Sequence, residues 1–277
     1  MRGTEAAERK MEERIAVLQA RMPSVLYRFT SLVGDHRDWI KRLLVQSELY
    51  FAPRTAFNDP LDCRVTLNFA ASELRLKQYW GQAARRENPG APMSQLKGHV
   101  RSMIQLHRTN PGRESLQSHL STALDRDGIL CLTEECANPL MWSYYADGHH
   151  GIALRFRVGG RRLLGLPKTW FPVQVRYAEK VPSLNYYESD PSDCAQVLAG
   201  TKAKAWEHER EWRLVLINPV GHVKVPPDLI DAVILGLRTD KDTEQEVRQW
   251  IAERKAPTKL FRVTNEEGSF LLDMTPA

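Results

Sequence analysis

The sequence of 277 residues lacks any hydrophobic run near the roughly 20 residues that a membrane-spanning helix needs. Its first 22 residues alternate charged residues with short apolar stretches, unlike a secretory signal peptide. Cysteine is scarce, with one close pair of spacing C-x4-C among Cys63, Cys131, Cys136 and Cys194. Because disulfide frameworks and zinc knuckles use tighter pairs, we expect reduced, structural thiols in a cytoplasmic protein.

A large excess of charge of one sign is also missing. The chain has 39 Lys and Arg residues against 34 Asp and Glu residues, a net charge of +5. This excess is compatible with an anionic ligand but too weak to indicate nucleic-acid binding by itself. Hydrophobic residues make up 42% and charged residues 26% of the chain, a globular balance that excludes wholesale disorder and fibrous structure.

The periodicity of apolar residues predicts an N-terminal helix followed by one domain. Residues 5–21 have an amphipathic helical pattern that stops at Pro23, so residues 1–23 are interpreted as a separate lead-in helix. Residues 24–277 are interpreted as a single α+β domain. Within it, residues 71–126 are polar, basic and helical in spacing, and each helical piece is too short to build its own core. We therefore expect a helical insertion at about 71–126.

Short strands are predicted on both sides of this insertion, at 25–30, 48–51, 128–133, 152–158, 173–177, 212–217, 232–236 and 259–263. In the strand at 212–217, Trp212, Leu214 and Leu216 alternate with Arg213, Val215 and Ile217, which indicates a central strand covered on both faces. The last two strands flank a helix with a predicted capping box from Thr243 to Glu246, and together they form a β-α-β unit. The fold class is α+β, with a short-stranded mixed β core and flanking helices.

The first strand carries one candidate binding residue. Alternation places Arg28 on the face opposite Tyr27 and Phe29. If that face is enclosed, the guanidinium can hold a phosphate or carboxylate; otherwise Arg28 is a solvated strand residue. Farther along the chain, after the predicted strand at 48–51, the Asn58-Asp59-Pro60 segment is more typical of a turn than of catalysis.

A second candidate segment is the aromatic stretch at residues 138–151, where Pro139 opens a predicted helix. Its aromatic and hydroxyl side chains are suited to a flat heterocycle, with Ser143 and His149 as polar anchors. Alternatively, Met141 and Trp142 belong to the core and the histidines lie in a loop.

A third candidate segment, residues 202–213, contains a run of acidic residues. In an extended backbone, Glu207, Glu209 and Glu211 would point to the same side. Crowded carboxylates raise at least one pKa, as acid–base chemistry requires. A solvated charge run would look similar, but this run leads directly into the most hydrophobic strand. The pattern favours a functional role for Glu209 or Glu211.

These segments resemble a widespread bacterial family of unknown function. Its motifs are found here at 26–29, 49–62, 129–133, 141–151, 204–213 and 233–236, and they include FNDPLD, MWSYYADGHHG and WEHEREWR. The resemblance covers most of residues 25–263, and the N-terminal helix and the insertion lie outside it.

The order of the motifs also resembles that of ADP-ribosyltransferases, including those that modify DNA. The resemblance implies an ADP-ribosyltransferase-like fold, NAD as substrate and no metal. It implies Glu209 and Glu211 as catalytic residues, similar to the E-x-E pair of arginine-modifying members. It also implies that Arg28 faces the NAD phosphates or the nicotinamide ribose and that Ser143, Tyr144 or Tyr145 forms the nicotinamide pocket. With the candidates from the other segments, the predicted NAD-binding residues are Tyr27, Arg28, Asn58, Trp142, Ser143, Tyr144, Tyr145, His149 and Arg213.

The mechanism implied by this resemblance needs two carboxylates. Loss of nicotinamide leaves positive charge on the ribose, which Glu211 would stabilise while Glu209 deprotonates an incoming nucleophile. The acceptor is a protein, a nucleic acid or, for an NAD glycohydrolase, water, and the resemblance hints at bacterial conflict or phage defence. Two alternatives stay open: a hydrolase of nucleotides or nucleic acids whose divalent cation is held by Asp59, Asp62 and the two glutamates, and a non-catalytic nucleotide-binding sensor.

Overall fold

The structure is a computed structural model that describes residues 12–13, 15–158, 170–189, 196–217 and 220–277. Residues 12–13 and 15–21 are helical, whereas the first part of the predicted N-terminal helix and Cys194 lie outside the described residues. The longer helices are α1 (Asp35–Lys41), α2 (Glu73–Glu87), α3 (Met93–Arg108), α4 (Asn110–Leu124), α5 (Pro139–Tyr145) and α6 (Lys241–Ala252). Among the described residues, no helix combines the length and apolar character that crossing a membrane requires.

The strands are short, as predicted. Their bounds are β1 (Val25–Thr30), β2 (Glu48–Phe51), β3 (Thr66–Asn68), β4 (Gly128–Thr133), β5 (Ile152–Arg157), β6 (Trp170–Gln174), β7 (Arg176–Ala178), β8 (Ser183–Asn185), β9 (Thr201–Ala203), β10 (Glu211–Leu216), β11 (Gly221–Lys224), β12 (Ile230–Leu235), β13 (Lys259–Thr264) and β14 (Asp273–Pro276).

In the described part of the chain, eight of these strands form one sheet of order β14-β13-β12-β5-β1-β4-β10-β6. Strands β12 and β13 are parallel because α6 returns the chain to the same end of the sheet, and the other neighbours are antiparallel. Strand β10 is buried at every position, as its apolar pattern predicts. The mixed α+β class and the β-α-β unit are therefore confirmed.

The sheet separates two hydrophobic layers. Leu26, Leu132 and Trp212 belong to the layer that includes α1 and β2, whereas Phe29 and Trp142 belong to the layer beneath α5. Alternation along β1, β4 and β10 produces this division, since neighbouring residues of a strand point to opposite faces.

The helical insertion is present as α2, α3 and α4. Leu76 and Trp80 of α2 pack against Ile104 of α3, and Tyr187 of the loop after β8 completes the cluster. Short helices become stable by sharing an apolar face in this way, so the insertion has a small hydrophobic core of its own, contributed partly by the rest of the chain.

Three local predictions are wrong. Residues 204–209 form a 3₁₀ helix rather than an extended strand. The predicted strand at 173–177 is divided between β6 and β7, which pair with different partners. Helix α6 is capped by Asp240, whose side chain accepts a hydrogen bond from the Thr243 N–H, rather than by a box from Thr243 to Glu246. In each case apolar spacing indicated an element, but hydrogen bonding set its type or its end.

The sheet opens between β1 and β4. Strand β1 is in register with β5 along its whole length, but its register with β4 is Tyr27 with Thr133. Towards the other end of β4, Ile129 exchanges both backbone hydrogen bonds with Ala52, which follows β2. The chain after β2 therefore enters the gap and leaves a cleft between β1 and β4.

Candidate functional site

A cavity of about 470 Å³ lies at this cleft. Its size is within the range of roughly 300–1,000 Å³ that is usual for small-molecule sites. Its acidic end contains Asp62, Lys202, Glu209 and Glu211, and its aromatic end contains His36, Trp39 and Tyr50.

The opening of the sheet explains how Arg28 and Glu211 come to line the same cavity. Tyr27, Thr133 and Glu211 form a row across β1, β4 and β10. Arg28 is the next residue of β1 and is in register with Leu154, so its side chain belongs to the opposite face of the sheet. A closed sheet would separate Arg28 from Glu211, but here both line the cavity because β1 and β4 part beyond Tyr27.

Lys202 is the centre of the acidic end. Its Nζ lies 2.5 Å from Glu209 Oε2, 3.2 Å from Glu211 Oε2 and 3.7 Å from Asp62 Oδ2. Arg213 is fully buried behind this group, and its guanidinium donates to Glu211 Oε1 at 2.8 Å and to Asp62 Oδ2 at 2.7 Å. Because removing one partner leaves an uncompensated buried charge, the five side chains form one interdependent cluster.

The two glutamates have different proton affinities. Burial would raise the pKa of Glu211, but Arg213 and Lys202 outweigh burial and lower this pKa to about 2. Burial raises the pKa of Glu209, an effect that Lys202 opposes and the nearby Glu211 reinforces. Burial would lower the pKa of Lys202, yet Glu211 and Glu209 raise it. Glu211 is therefore a permanent carboxylate and Glu209 a better proton acceptor, a separation typical of acid–base pairs.

Tyr145 connects helix α5 to this cluster. Its hydroxyl donates to Glu209 Oε1 at 2.6 Å, and Asn58 Nδ2 approaches the same hydroxyl at 3.5 Å. Burial raises the pKa of Tyr145, so the phenol stays protonated and remains a donor. Glu209 is thus held by Tyr145 on one oxygen and by Lys202 on the other.

Arg28 is a cation without a counter-ion. Its side chain is half-buried at the cavity, and none of the described residues accepts a hydrogen bond from it or forms an ion pair with it. Burial lowers the pKa of Arg28, although a guanidinium stays charged at neutral pH. Because an unpaired cation at a concave site is a natural anion-binding group, this position favours a phosphate or carboxylate ligand.

The sequence-predicted site residues do not all reach the cavity. Those that line it are Tyr27, Arg28, Asn58, Tyr145, Glu209 and Glu211. Arg213 lies behind Glu211 and acts on the cavity through that residue.

The other four predicted residues, all on or after α5, are placed elsewhere. Trp142 is wholly buried, packs edge-on against Phe29 and donates to the Cys136 carbonyl, so it is a core residue. Ser143 donates to the Pro139 carbonyl, and Tyr144 is 58% exposed beside Trp206.

His149 lies in the turn after α5, where its ring stacks on Trp142. A helix turns about 100° per residue, so consecutive side chains of α5 cannot all face one ligand. The alternative is therefore correct: Met141 and Trp142 are buried in the same hydrophobic cluster, and His149 and His150 lie in a turn. Met141 also borders the cavity.

Lys202 begins the acidic segment at residues 202–213, but the sequence pattern assigns it no role. The signal available was electrostatic: three acidic residues that enter a buried strand need a buried counter-charge. His36, Trp39 and Tyr50 were also missed. His36 and Trp39 lie outside the motifs, and Tyr50 lies within the motif at 49–62, where nothing distinguishes it from a buried strand residue.

The carboxylates needed by the metal-dependent alternative are already bound. The Lys202 ammonium lies among Asp62, Glu209 and Glu211, and Asp59 accepts a hydrogen bond from Trp206 Nε1 at 2.8 Å. Within the described ranges, no group of three or more His, Cys, Asp or Glu side chains is arranged to hold a metal ion.

Together, the fold and the site define an α+β protein with a ligand-sized cleft in its sheet and an acid–base cluster at one end of the cleft. Residues 141–214 of this chain match the model of a family described as a protein of unknown function (DUF2971). Neither a curated protein nor a solved structure matches the chain. The matched stretch runs from α5 into β10 and includes Tyr145, Lys202, Glu209 and Glu211, so the resemblance expected over most of residues 25–263 is shown for this part.

Proposed function

We propose that the protein cleaves the nicotinamide–ribose bond of NAD and transfers ADP-ribose to an acceptor, as an ADP-ribosyltransferase or, with water as acceptor, an NAD glycohydrolase. The observation that carries this proposal is the pairing, in one cavity, of an unpartnered guanidinium with two buried glutamates of separated pKa. The resemblance of the motif order to ADP-ribosyltransferases supports it.

The cavity suits the charges of NAD. The unpaired Arg28 matches a diphosphate, which is the strongest anion of the molecule. The acidic end matches the nicotinamide ring, which carries positive charge, and its ribose. Tyr145 and Phe57 supply aromatic surface at this end.

The proposed reaction breaks the bond between ribose C1′ and the nicotinamide nitrogen, and the bonding electrons leave with nicotinamide. Glu211 is ionised throughout and stabilises the positive charge that develops on the ribose. An acceptor O–H or N–H group then forms the new bond to C1′, and Glu209 receives its proton. Tyr145 and Lys202 orient the Glu209 carboxylate for this transfer.

The charge distribution favours a nucleic acid as acceptor. Residues 73–124 contain eight Lys and Arg residues against three Asp and Glu residues, whereas the remainder of the chain contains 31 of each. Arg85, Arg86, Lys97 and Arg101 are exposed and form no ion pair within the part of the chain that is described. Exposed basic residues without an ion pair attract a phosphate backbone.

The experiment is the release of nicotinamide from NAD by the full-length chain, measured by chromatography. We expect Glu211→Gln to lower turnover about 10²- to 10³-fold, the usual cost of one preorganised electrostatic group. Glu209→Gln should lower transfer similarly. Glu207→Gln is the matched control, because Glu207 is exposed and belongs to the same segment.

Two outcomes would overturn the proposal: no nicotinamide release by the wild-type chain, or equal release by wild type and Glu211→Gln. Thermal denaturation of each variant identifies a loss of folding. Glu209→Gln keeps the test informative if Glu211→Gln fails to fold, since its amide can still accept the Tyr145 hydrogen bond. Acceptor choice is tested separately, because Arg85→Glu with Arg86→Glu should reduce transfer to an oligonucleotide but leave hydrolysis in water unchanged.

A further inference from the structure

The aromatic end of the cavity has no role in the chemistry described above. Trp39 comes from α1 and Tyr50 from β2, and their rings stack with centroids 4.1 Å apart and an interplanar angle of 15°. The His36 ring lies 5.0 Å from Trp39, and the His222 ring of β11 lies 5.2 Å from Tyr50. Three elements, α1, β2 and β11, thus contribute to one aromatic group, and three of its four members line the cavity.

Arg28 belongs to this end rather than to the acidic end. It shares its face of β1 with Leu26, in the layer that includes α1 and β2. His36 and Arg28 line the same cavity. Burial lowers the pKa of His36, and the charge of Arg28 lowers it further. The His36 Nδ1 atom is within 2.8 Å of Ser31 Oγ, which fixes the ring.

This combination selects a particular ligand. An unpaired guanidinium attracts an anion, and neighbouring aromatic rings attract a planar group. A molecule that carries both, joined by a short linker, is a nucleotide. We propose that the Trp39–Tyr50 pair with His36 binds the base of a nucleotide whose phosphate contacts Arg28, with the rest of the ligand directed to the acidic end.

For NAD, which is the ligand only if the proposed function holds, the base at this end is adenine. The positively charged nicotinamide is repelled by Arg28 and attracted by the carboxylates of the opposite end. Adenine is neutral, so stacking on Trp39 and Tyr50 has no electrostatic cost.

The test compares ADP with inorganic pyrophosphate, which lacks the base, by isothermal titration calorimetry on the full-length chain. We expect ADP to bind more tightly than pyrophosphate. Trp39→Ala and Tyr50→Leu should weaken ADP binding about 5- to 150-fold, the effect of removing a ring on which a base stacks, and leave pyrophosphate binding unchanged. Arg28→Gln should weaken both ligands. Phe270→Leu is the matched control, because Phe270 is 97% exposed and outside the cavity.

Equal affinities of ADP and pyrophosphate, or unchanged ADP binding by Tyr50→Leu, would overturn the inference. Tyr50→Leu keeps an apolar side chain at its position, so it tests the inference even if Trp39→Ala does not fold. The binding measurement does not depend on whether the protein cleaves NAD. Base-dependent ADP binding without nicotinamide release would refute the proposed function and support this subsite, and it would favour the sensor alternative. Nicotinamide release by the wild-type chain, together with an unchanged KM for NAD in Tyr50→Leu, would support the proposed function and refute this subsite.

Discussion

Replacing Lys202 by Met tests whether the acidic end is one electrostatic cluster. The Lys202 side chain is buried, and its ammonium lies within 4 Å of three carboxylates, the farthest being Asp62 at 3.7 Å. Methionine keeps most of the volume and removes the charge. Removal of one partner from a buried ion pair typically costs about 3–5 kcal/mol, and we expect a loss of this size in the free energy of unfolding.

The loss should depend on pH in a defined direction. Lys202 lowers the pKa of both Glu209 and Glu211, so its removal raises both values. A carboxyl group whose pKa is higher in the folded than in the unfolded chain destabilises the fold as pH rises from the unfolded value through the folded one. Lys202→Met should therefore be more destabilising near pH 8 than near pH 5.

The assay is urea denaturation followed by tryptophan fluorescence at both pH values. Lys204→Met is the matched control, since Lys204 is exposed two residues away and should change stability by less than about 0.5 kcal/mol. The double variant Lys202→Met with Glu209→Gln should recover part of the loss, because one of the unpaired charges is then gone. A loss below about 1 kcal/mol, or one that is equal at both pH values, would refute this account of the cluster.

Three further predictions concern other parts of the chain. Burial lowers the pKa of His107, which stacks on Trp80, so the stability that neutral His107 provides is lost as pH falls below its unfolded pKa. Protection of the α3 amides against hydrogen exchange, measured relative to the intrinsic exchange rate at each pH, should therefore fall between about pH 7 and pH 5.5, and His107→Phe should abolish this change. Gly81→Ala in α2 should stabilise the protein by roughly 0.5–1 kcal/mol and raise its melting temperature, because no atom lies near the new Cβ. Gly151→Ala should unfold the protein, because its Cβ would overlap the Thr30 carbonyl oxygen. Melting temperatures equal to that of the wild type would contradict both expectations. Transfer of ADP-ribose to the acceptor should decline as pH falls through the raised pKa of Glu209, and a flat profile would exclude Glu209 as the base.

Much of the fold follows from local patterns. Strands β1, β2 and β4 have the predicted bounds, because alternating or continuous apolar residues between turn signals have few other ways to be buried. The insertion was recognised from its composition and helical spacing. The errors occur where hydrogen bonds compete with periodicity, as in the 3₁₀ helix at Lys204–Glu209, which alternation alone suggested was extended.

The candidate site was predictable only in part. Glu209, Glu211 and Arg28 were identified because charged residues next to buried strands are unusual, and all three line the cavity. Trp142 was misassigned, because an aromatic residue in a helix has the same sequence signal whether it faces a ligand or the core. Lys202 was missed, because the need for a buried counter-charge does not by itself say which basic residue supplies it.

The sequence alone determined the α+β class, most strands of the large sheet and the acidic segment, since these depend on spacing within short stretches of chain. Only the tertiary structure decided that β1 and β4 part beyond Tyr27. This opening depends on Ala52 taking the place of β1 beside Ile129, a contact between distant segments that no local pattern encodes. It is this opening that lets side chains from opposite faces of one sheet line a single cavity, so the site results from strand pairing rather than from any one motif.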